Sequence, residues 1–496
     1  MNAPLRRVGV VVLLLFGLLF VNLNWVQGFQ ASEYRNSVYN DRVQLSEYER
    51  PRGRIVVAGT PIASSRETSG DLRYERTYSG AETYAHVVGY KPVNGAATGI
   101  ERLYNELLAG TSPRLWGDRL WDMIRDTKTP GGNVELTISR PAQEVAVKEL
   151  ANNKVGATKG AVVALDPKTG KVLALASMPN FDPSPLVSHD PETARAAYEA
   201  LEKDPNKPLL NRAVSETYPP GSTMKVILAA AALQQGLRPD TMLTGGAGYQ
   251  APETTHVIGN APGVVCPDQI SLRQALTVSC NTAFARLGVE QLGADAVVSM
   301  AQAFGFEAQP RFAEDEDDNV FNVVASHTGD LTDPDGSDDR PKLAQSSIGQ
   351  AEVRMTPLQG ALIAATIANG GKQMRPYLVE KTTGPDLSTI DTAHPRTLRT
   401  PISGQVAADL RDMMVSVVEH GTGRNARISG FTVGGKTGTA ETGQAADHGW
   451  FIGFVMKGDE PVAAVAVLLE NAGTGGSAEA TRIAGQVMRA ITGGLR

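Results

Sequence analysis

The chain is 496 residues long, which exceeds the usual size of one domain and predicts two or more domains. Its composition, 42% hydrophobic and 20% charged, is ordinary for a globular protein with a large core. The net charge is -6 and no long basic stretch is present, so nucleic acid is excluded as an expected partner.

An apolar stretch near the N-terminus predicts a membrane-spanning helix. No residue from Val8 to Val26 is charged, and at 1.5 Å per residue a helix of this length would be roughly 28 Å long. Arg6 and Arg7 precede the stretch, which predicts a cytoplasmic tail over residues 1–7, a single-pass anchor over 8–27 in the cytoplasmic membrane, and export of the rest of the chain. A cleaved signal peptide is the alternative, although no clean small-x-small cleavage site comes after the stretch.

The exported part divides into two predicted domains. Residues 30–155 have mixed strand and turn signals and form a predicted membrane-proximal pedestal, whereas residues 156–496 form the second domain. Two apolar runs, Ala161–Leu165 and Val172–Ala176, flank the turn sequence Asp166-Pro167-Lys168-Thr169-Gly170 and predict a β-hairpin.

The second domain is predicted to have the α+β class, with an antiparallel sheet flanked by helices and a helical subdomain. Its middle part, from about Leu201 to Val417, reads as mostly helical. The predicted helices include Met224–Leu233, Leu272–Leu287, Ala294–Phe304, Pro357–Asn369 and Glu479–Ile491, and the late strands are Phe431–Val433, Gly449–Met456 and Val462–Leu469.

Two other features are less decisive. The segment Glu314–Asp339 has ten acidic residues and no Lys or Arg, and is interpreted as a solvated loop because the register of a calcium-binding loop is absent. Cys266 and Cys280 could form a disulfide in an exported protein, or remain two buried thiols. The histidines show no metal-ligand spacing, so no metal or other cofactor is expected.

A serine and a lysine at the start of the predicted buried helix could form a nucleophile and its base. Pro219-Pro220-Gly221 breaks the chain just before Ser222, and Lys225 comes three residues later on the same helix face. An amine in an apolar setting has a lowered pKa and can accept the serine proton. Taken alone, the pair favours a helix cap with a lysine that extends to solvent.

Two further polar groups could complete such a site. Ser279 and Asn281 lie at a predicted helix junction, where they could relay a proton and hold a substrate carbonyl, or serve only as caps. Gly434-Gly435-Lys436-Thr437-Gly438-Thr439-Ala440 is interpreted as a strand with a cation and two hydroxyls. Residues 430–437 also fit the phosphate-loop pattern, but that interpretation is rejected because no helix start comes after them.

The order Ser-x-x-Lys, Ser-x-Asn, Lys-Thr-Gly, in which successive motifs begin 57 and 157 residues apart, resembles penicillin-binding proteins and serine β-lactamases. Over nearly the whole chain beyond the anchor, the sequence resembles class B penicillin-binding proteins of the FtsI and PbpA type. The stretches that carry this wider resemblance are Arg52-Gly53-Arg54-Ile55, Gly99–Asn105, Gly349-Gln350, Thr356-Pro357-Leu358-Gln359 and Gly421-Thr422-Gly423. Val56-Val57-Ala58 departs from the family, which often has Asp-Arg there.

The resemblance implies a peptidoglycan D,D-transpeptidase that is inhibited by β-lactams and acts with the cell-wall or division machinery. It implies that Ser222 attacks a donor stem peptide with Lys225 as base, and that Ser279 and Lys436 assist proton transfer. Substrate binding would fall to Asn281, Thr437, Gly438 and Thr439, with backbone N–H groups of Ser222 and Thr439 as the oxyanion hole. An acceptor stem peptide would then resolve the acyl-enzyme. A D,D-carboxypeptidase, a β-lactamase, a β-lactam sensor and a scaffold without turnover are the alternatives.

Overall fold

The computed structural model describes residues 2–28, 30, 47–70, 72–115, 129–312, 321, 323–443 and 445–493. Helix α1 (Asn2–Gly28) is, within those ranges, the one helix long and apolar enough to cross a membrane. Its large apolar side chains from Val8 to Leu23 are exposed to solvent. The helix therefore fits a single-pass membrane anchor.

A five-stranded antiparallel sheet forms the centre of the second domain, which confirms the predicted fold class. Its strands are β5 (Lys159–Leu165), β6 (Val172–Met178), β15 (Thr432–Ala440), β16 (His448–Lys457) and β17 (Glu460–Glu470). Their spatial order is β15-β16-β17-β5-β6. The predicted hairpin is the β5–β6 pair, and the Asp166 carboxylate closes its turn by accepting from Lys168 N and Thr169 Oγ1.

Helices cover both faces of this sheet. On one face lie α5 (Arg140–Ala151) and α14 (Gly476–Thr492), whose apolar residues pack with the sheet in one core cluster. On the other face lies α12 (Pro357–Ala368), which is buried along its whole length because it is apolar on every side. The sheet is thus covered by helices on both faces, and β15 forms one of its edges.

The helical subdomain lies beyond α12. Its helices are α7 (Lys225–Gln234), α8 (Leu272–Val278), α9 (Asn281–Arg286), α10 (Gly293–Phe304), α11 (Arg340–Ser346) and α13 (Gly404–Glu419). Helix α6 (Pro191–Lys203) lies outside it and packs on a small cluster with Ala85, Tyr90 and Phe181. The prediction of one helix over Leu272–Leu287 is wrong. Ser279 has φ 64° and ψ 43°, a left-handed conformation that ends α8, and the Cys280 side chain caps α9.

The prediction that residues 201–417 are mostly helical is wrong for two stretches, 242–271 and 373–399. The first contains the short strands β7 (Met242–Thr244), β8 (Gly248–Gln250), β9 (Val257–Gly259) and β10 (Gln269–Ser271). The second contains β11 (Gln373–Met374), β12 (Val379–Thr383), β13 (Thr389–Thr392) and β14 (Thr397–Arg399). Their runs are too short to show a period of two. Of the acidic segment Glu314–Asp339, residues 314–320 and 322 lie outside the described residues.

The membrane-proximal part is built on a second, six-stranded sheet. Its own elements are β1 (Ile55–Val57), β2 (Thr60–Glu67), β3 (Tyr74–Tyr78), β4 (Asn133–Leu136), α2 (Ala81–Val88), α3 (Gly99–Leu103) and α4 (Asn105–Leu108). The strand order is β13-β12-β4-β1-β2-β3. β12 and β13 come from residue numbers far beyond 155, so the sheet joins strands from both predicted domains. The boundary between residues 155 and 156 stays a prediction.

A buried charge cluster holds this sheet to α3. The Glu101 carboxylate is fully buried and accepts from Arg52 Nε and Arg76 Nε, each at 2.6 Å. Burial alone would raise the pKa of Glu101, but the two guanidinium groups hold that pKa below its usual value. The carboxylate is therefore charged, and it compensates two arginines at once. Both Arg52 and Glu101 belong to the stretches that carry the family resemblance.

We predict that Glu101→Gln lowers the free energy of unfolding by about 3–5 kcal/mol, because two buried guanidinium groups lose their counter-charge. The measurement is urea unfolding of the purified chain followed by circular dichroism. Glu75→Gln is the matched control, since its partner Arg66 is exposed and the loss should stay below about 1 kcal/mol. Equal losses for the two variants would contradict a stabilising role for the cluster.

Candidate active site

Ser222 lies on a tight turn between the sheet and the helical subdomain. Gly221–Met224 forms a 3-10 turn that continues directly into α7, as the Pro-Pro-Gly sequence predicts. Thr223 Oγ1 donates to Pro220 O at 2.8 Å and fixes the turn from within. Ser222 is half-buried, and its hydroxyl has no hydrogen-bond partner among the described residues. The hydroxyl is thus free to meet a ligand.

Glycine at position 221 lets this turn pack directly on strand β15. Gly221 has φ 51°, and a Cβ there would lie 2.3 Å from Thr439 O. From the other side, Gly221 N donates to Gly349 O at 3.0 Å. A Cβ at Gly438 would in turn lie 2.8 Å from Pro220 O. The nucleophile turn and β15 are therefore in backbone contact.

A tryptophan holds the turn at its upstream end. Trp450 on β16 is fully buried, and its Nε1 donates to Pro219 O at 2.9 Å. In the sheet register Trp450 is opposite Gly438, so one residue contacts both β15 and the turn. Sequence reasoning missed Trp450, because an indole inside an apolar strand reads as core.

The Lys225 amine points across to the second motif. Lys225 is fully buried on α7, and its Nζ lies 2.9 Å from Ser279 O, 3.2 Å from Ser279 Oγ and 2.6 Å from Asn281 Oδ1. The left-handed conformation of Ser279 turns both its carbonyl and its hydroxyl toward this amine. The Lys225 amine thus contacts Ser279 and Asn281 of the second motif, although Lys225 itself lies only three residues after Ser222.

The Lys436 amine reaches the same serine from the opposite side. Lys436 is fully buried on β15, and its Nζ donates to Ser279 Oγ at 2.9 Å and to Thr437 O at 3.0 Å. Ser279 Oγ therefore lies between two amines that come from different elements. The structure brings together Lys225, Ser279, Asn281 and Lys436, which the sequence places up to 211 residues apart.

The electrostatics favour neutral amines at this site. Burial, and to a lesser extent the nearby charge of Lys436, holds the pKa of Lys225 well below its usual value. Burial lowers the pKa of Lys436 to about 7. An amine that has lost its proton near neutral pH can accept one from a serine hydroxyl.

Asn281 is held by a loop that sequence reasoning did not identify. Asn281 Nδ2 donates to Gly259 O at 2.9 Å, and Asn281 N donates to Asn260 Oδ1 at 2.9 Å. The same loop is tied to motif two by a disulfide between Cys266 and Cys280, whose Cα atoms are 5.7 Å apart. Asn260 is an isolated amide in a Gly-rich stretch, and no sequence pattern marks it.

Strand β15 runs without a break from Thr432 to Ala440. A phosphate loop needs a strand, a loop and then a helix, so this geometry supports the rejection of that interpretation. On the strand Thr437 is buried and Thr439 is exposed. Lys168-Thr169-Gly170, the second Lys-Thr-Gly of the chain, is the distant β5–β6 turn. Within the described ranges, no group of three His, Cys, Asp or Glu residues could hold a metal ion.

Comparisons with known proteins agree with this geometry. Residues 160–491 match the family described as penicillin binding protein transpeptidase domain, and residues 52–134 match the penicillin binding protein A dimerisation domain. The peptidoglycan D,D-transpeptidase PbpA of Mycolicibacterium smegmatis is 43% identical over 503 residues, which cover 100% of this chain and 99% of that protein. The PbpA of Mycobacterium tuberculosis strain H37Rv is 42% identical and covers 99% of this chain and 98% of its own.

A solved structure shows the same architecture. Penicillin-binding protein A from M. tuberculosis, as its ceftriaxone acyl-enzyme complex, has a TM-score of 0.84 and 42% identity, and covers 90% of this chain and 99% of its own. The expectation of a class B penicillin-binding protein is thereby confirmed. The chain belongs to the penicillin-binding protein transpeptidase family.

Proposed function

We propose that this chain is a peptidoglycan D,D-transpeptidase that works through a Ser222 acyl-enzyme. The observation that carries the proposal is the pair of buried amines, Lys225 Nζ and Lys436 Nζ, on the one hydroxyl of Ser279. The similar proteins of M. smegmatis and M. tuberculosis are named peptidoglycan D,D-transpeptidases. The solved complex of the M. tuberculosis protein is an acyl-enzyme with a β-lactam.

In the first half of the reaction, Ser222 Oγ attacks the carbonyl of the penultimate D-alanine of a donor stem peptide. The neutral Lys225 amine takes the serine proton, and backbone N–H groups of Ser222 and Thr439 stabilise the oxyanion. The peptide bond then breaks, leaving an ester on Ser222. Terminal D-alanine departs as an amine, and its proton comes through Ser279 and Lys436.

The substrate is held by the polar groups around that centre. Asn281 orients the donor peptide, while Lys436, Thr437 and Thr439 bind its terminal carboxylate. Gly438 acts indirectly, because the lack of a Cβ lets β15 pack against Pro220 O of the nucleophile turn. In the second half, the amine of an acceptor stem peptide attacks the ester, a new amide forms, and Ser222 regains its proton. A β-lactam would acylate the same hydroxyl and block it.

We place the catalytic domain on the extracytoplasmic side of the membrane, where peptidoglycan lies. Arg6 and Arg7 precede the apolar part of α1, and positive flanks favour the cytoplasmic side. There the enzyme would act with other proteins of cell-wall synthesis or division.

The nucleophile assignment predicts that Ser222→Ala abolishes covalent labelling by fluorescent penicillin, because the other hydroxyl of the turn, that of Thr223, is buried and donates to Pro220 O. Ser215→Ala is the matched control and should label like the wild type, since that hydroxyl only donates to Phe321 O. Mass spectrometry of the labelled wild type should find the adduct on Ser222. Label on the Ser222→Ala protein, or on another residue, would refute the assignment.

The turnover assignment is tested on the same wild-type protein with donor and acceptor stem peptides. The expected product is a cross-linked dimer with release of D-alanine. Hydrolysis of the donor with no dimer would instead identify a D,D-carboxypeptidase.

The sidedness predicts different access to cysteines placed at the two ends of the chain. A cysteine at Thr474, which is exposed on the catalytic domain, should react with a membrane-impermeant maleimide on spheroplasts. A cysteine at Asn2 should react only after lysis. The reverse pattern would contradict the proposed orientation.

A further inference from the structure

The loop Gly421-Thr422-Gly423, which comes just after α13, contacts both the strand of the third motif and the helix that leads to the second motif. Thr422 Oγ1 lies 2.6 Å from Thr437 Oγ1 on β15, so the two hydroxyls share a hydrogen bond. Thr437 is the residue next to Lys436 in the sequence. The loop therefore contacts β15 at the residue that directly follows the buried lysine of the site.

The same loop is seated on the helix that leads to Ser279. A Cβ at Gly421 would lie 2.1 Å from Thr277 O, so only glycine permits this approach. Beside it, Thr277 Oγ1 and Ser416 Oγ are 2.8 Å apart and join α8 to α13. The backbone beside Thr422 is thus packed on the helix that leads to Ser279, and the Thr422 side chain is hydrogen-bonded to β15.

The two hydroxyls differ in exposure, and either of them could donate in the hydrogen bond that they share. Thr437 is only 7% exposed, whereas Thr422 is exposed. Each hydroxyl carries one proton and can both donate and accept. If Thr437 donates its proton to an anion, its oxygen can accept a proton from Thr422 at the observed distance. Such chains of hydroxyls strengthen the final, charge-assisted hydrogen bond.

We propose that Thr422 is a positioning residue that sets specificity for substrates with a free carboxylate. Its hydroxyl donates to Thr437 Oγ1 and leaves the Thr437 proton directed at the terminal carboxylate of the donor peptide. The inference rests on the proposed function, in which Thr437 binds that carboxylate. It adds a residue outside the three motifs to the recognition of the donor.

The test compares acylation of the full-length protein by benzylpenicillin and by benzylpenicillin methyl ester, which lacks the carboxylate. Thr422→Val keeps the side-chain shape and removes the hydroxyl. It should lower the second-order acylation rate with the acid about tenfold, as expected for a weakened hydrogen bond to a charged group. With the ester the change should stay below about twofold, and Thr422→Ser should restore the rate with the acid.

Thr432→Val is the matched control, because it makes the same change at an exposed position of the same strand. A double-mutant cycle with Thr437→Val adds a second readout. If Thr422 acts through Thr437, the double variant should lose no more than Thr437→Val alone.

Equal loss on acid and ester, no loss on the acid, or additive losses in the cycle would each overturn the proposal. These outcomes differ from failure of the proposed function, in which wild-type Ser222 would not be acylated at all.

Discussion

The site depends on one electrostatic constraint, namely that two lysine amines are buried around a single serine hydroxyl. Lys225 Nζ lies 3.2 Å and Lys436 Nζ 2.9 Å from Ser279 Oγ, and both side chains are inaccessible to solvent. Two ammonium groups so close in a poorly polarisable interior repel each other strongly. Loss of a proton relieves both the repulsion and the desolvation, and it produces the base that a serine nucleophile needs.

The surrounding fold keeps this unfavourable arrangement in place. Ser279 is held in a left-handed conformation that costs a non-glycine residue about 1–3 kcal/mol, so its neighbours must determine it. The Cys266–Cys280 disulfide and the hydrogen bonds of Asn260 to Asn281 do so from one side. On the other side the five-stranded sheet presents Lys436 from a strand that cannot shift its register. The strain is therefore located at the residue that joins the two amines.

The nucleophile turn has a parallel set of supports. Its backbone contacts Gly349 on one side and Thr439 on the other, and Trp450 binds the carbonyl of Pro219. These contacts hold Ser222 rigidly while leaving its hydroxyl without a competing partner. A rigid nucleophile beside a rigid edge strand is the arrangement that lowers the entropy cost of bringing a peptide carbonyl to the serine.

Much of this could be predicted from local patterns. The hairpin over residues 161–176, the buried helix after Ser222 and the strand through Lys436 each result from periodicity and turn residues, and the structure shows all three. The motif order also sufficed to place Ser222, Lys225, Ser279 and Lys436 in one hypothesis. The hydrogen-bonded cluster of Lys225, Ser279 and Lys436 is now a geometric fact, while its catalytic role stays a proposal.

The features that could not be predicted depend on contacts between distant residues. Tertiary contacts impose the left-handed conformation that breaks the helix at Ser279. No proline or glycine lies at this position, so the sequence gives no signal of the break. Asn260 and Trp450 act through hydrogen bonds to residues that are remote in sequence. The pairing of β12 with β4 joins residues about 250 positions apart, and strand pairing of that kind leaves no local signal.

The most direct test of the central claim is the pH dependence of the rate at which benzylpenicillin acylates Ser222. Burial places the pKa of Lys436 at about 7 and that of Lys225 well below its usual value. Protonation of the coupled amines removes the base, so the rate should fall as the pH drops below about 7 and be level between about pH 8 and about pH 9. A rate that instead keeps rising through about pH 10, as for an ordinary lysine, would show that the amines are charged at neutral pH and would contradict the account.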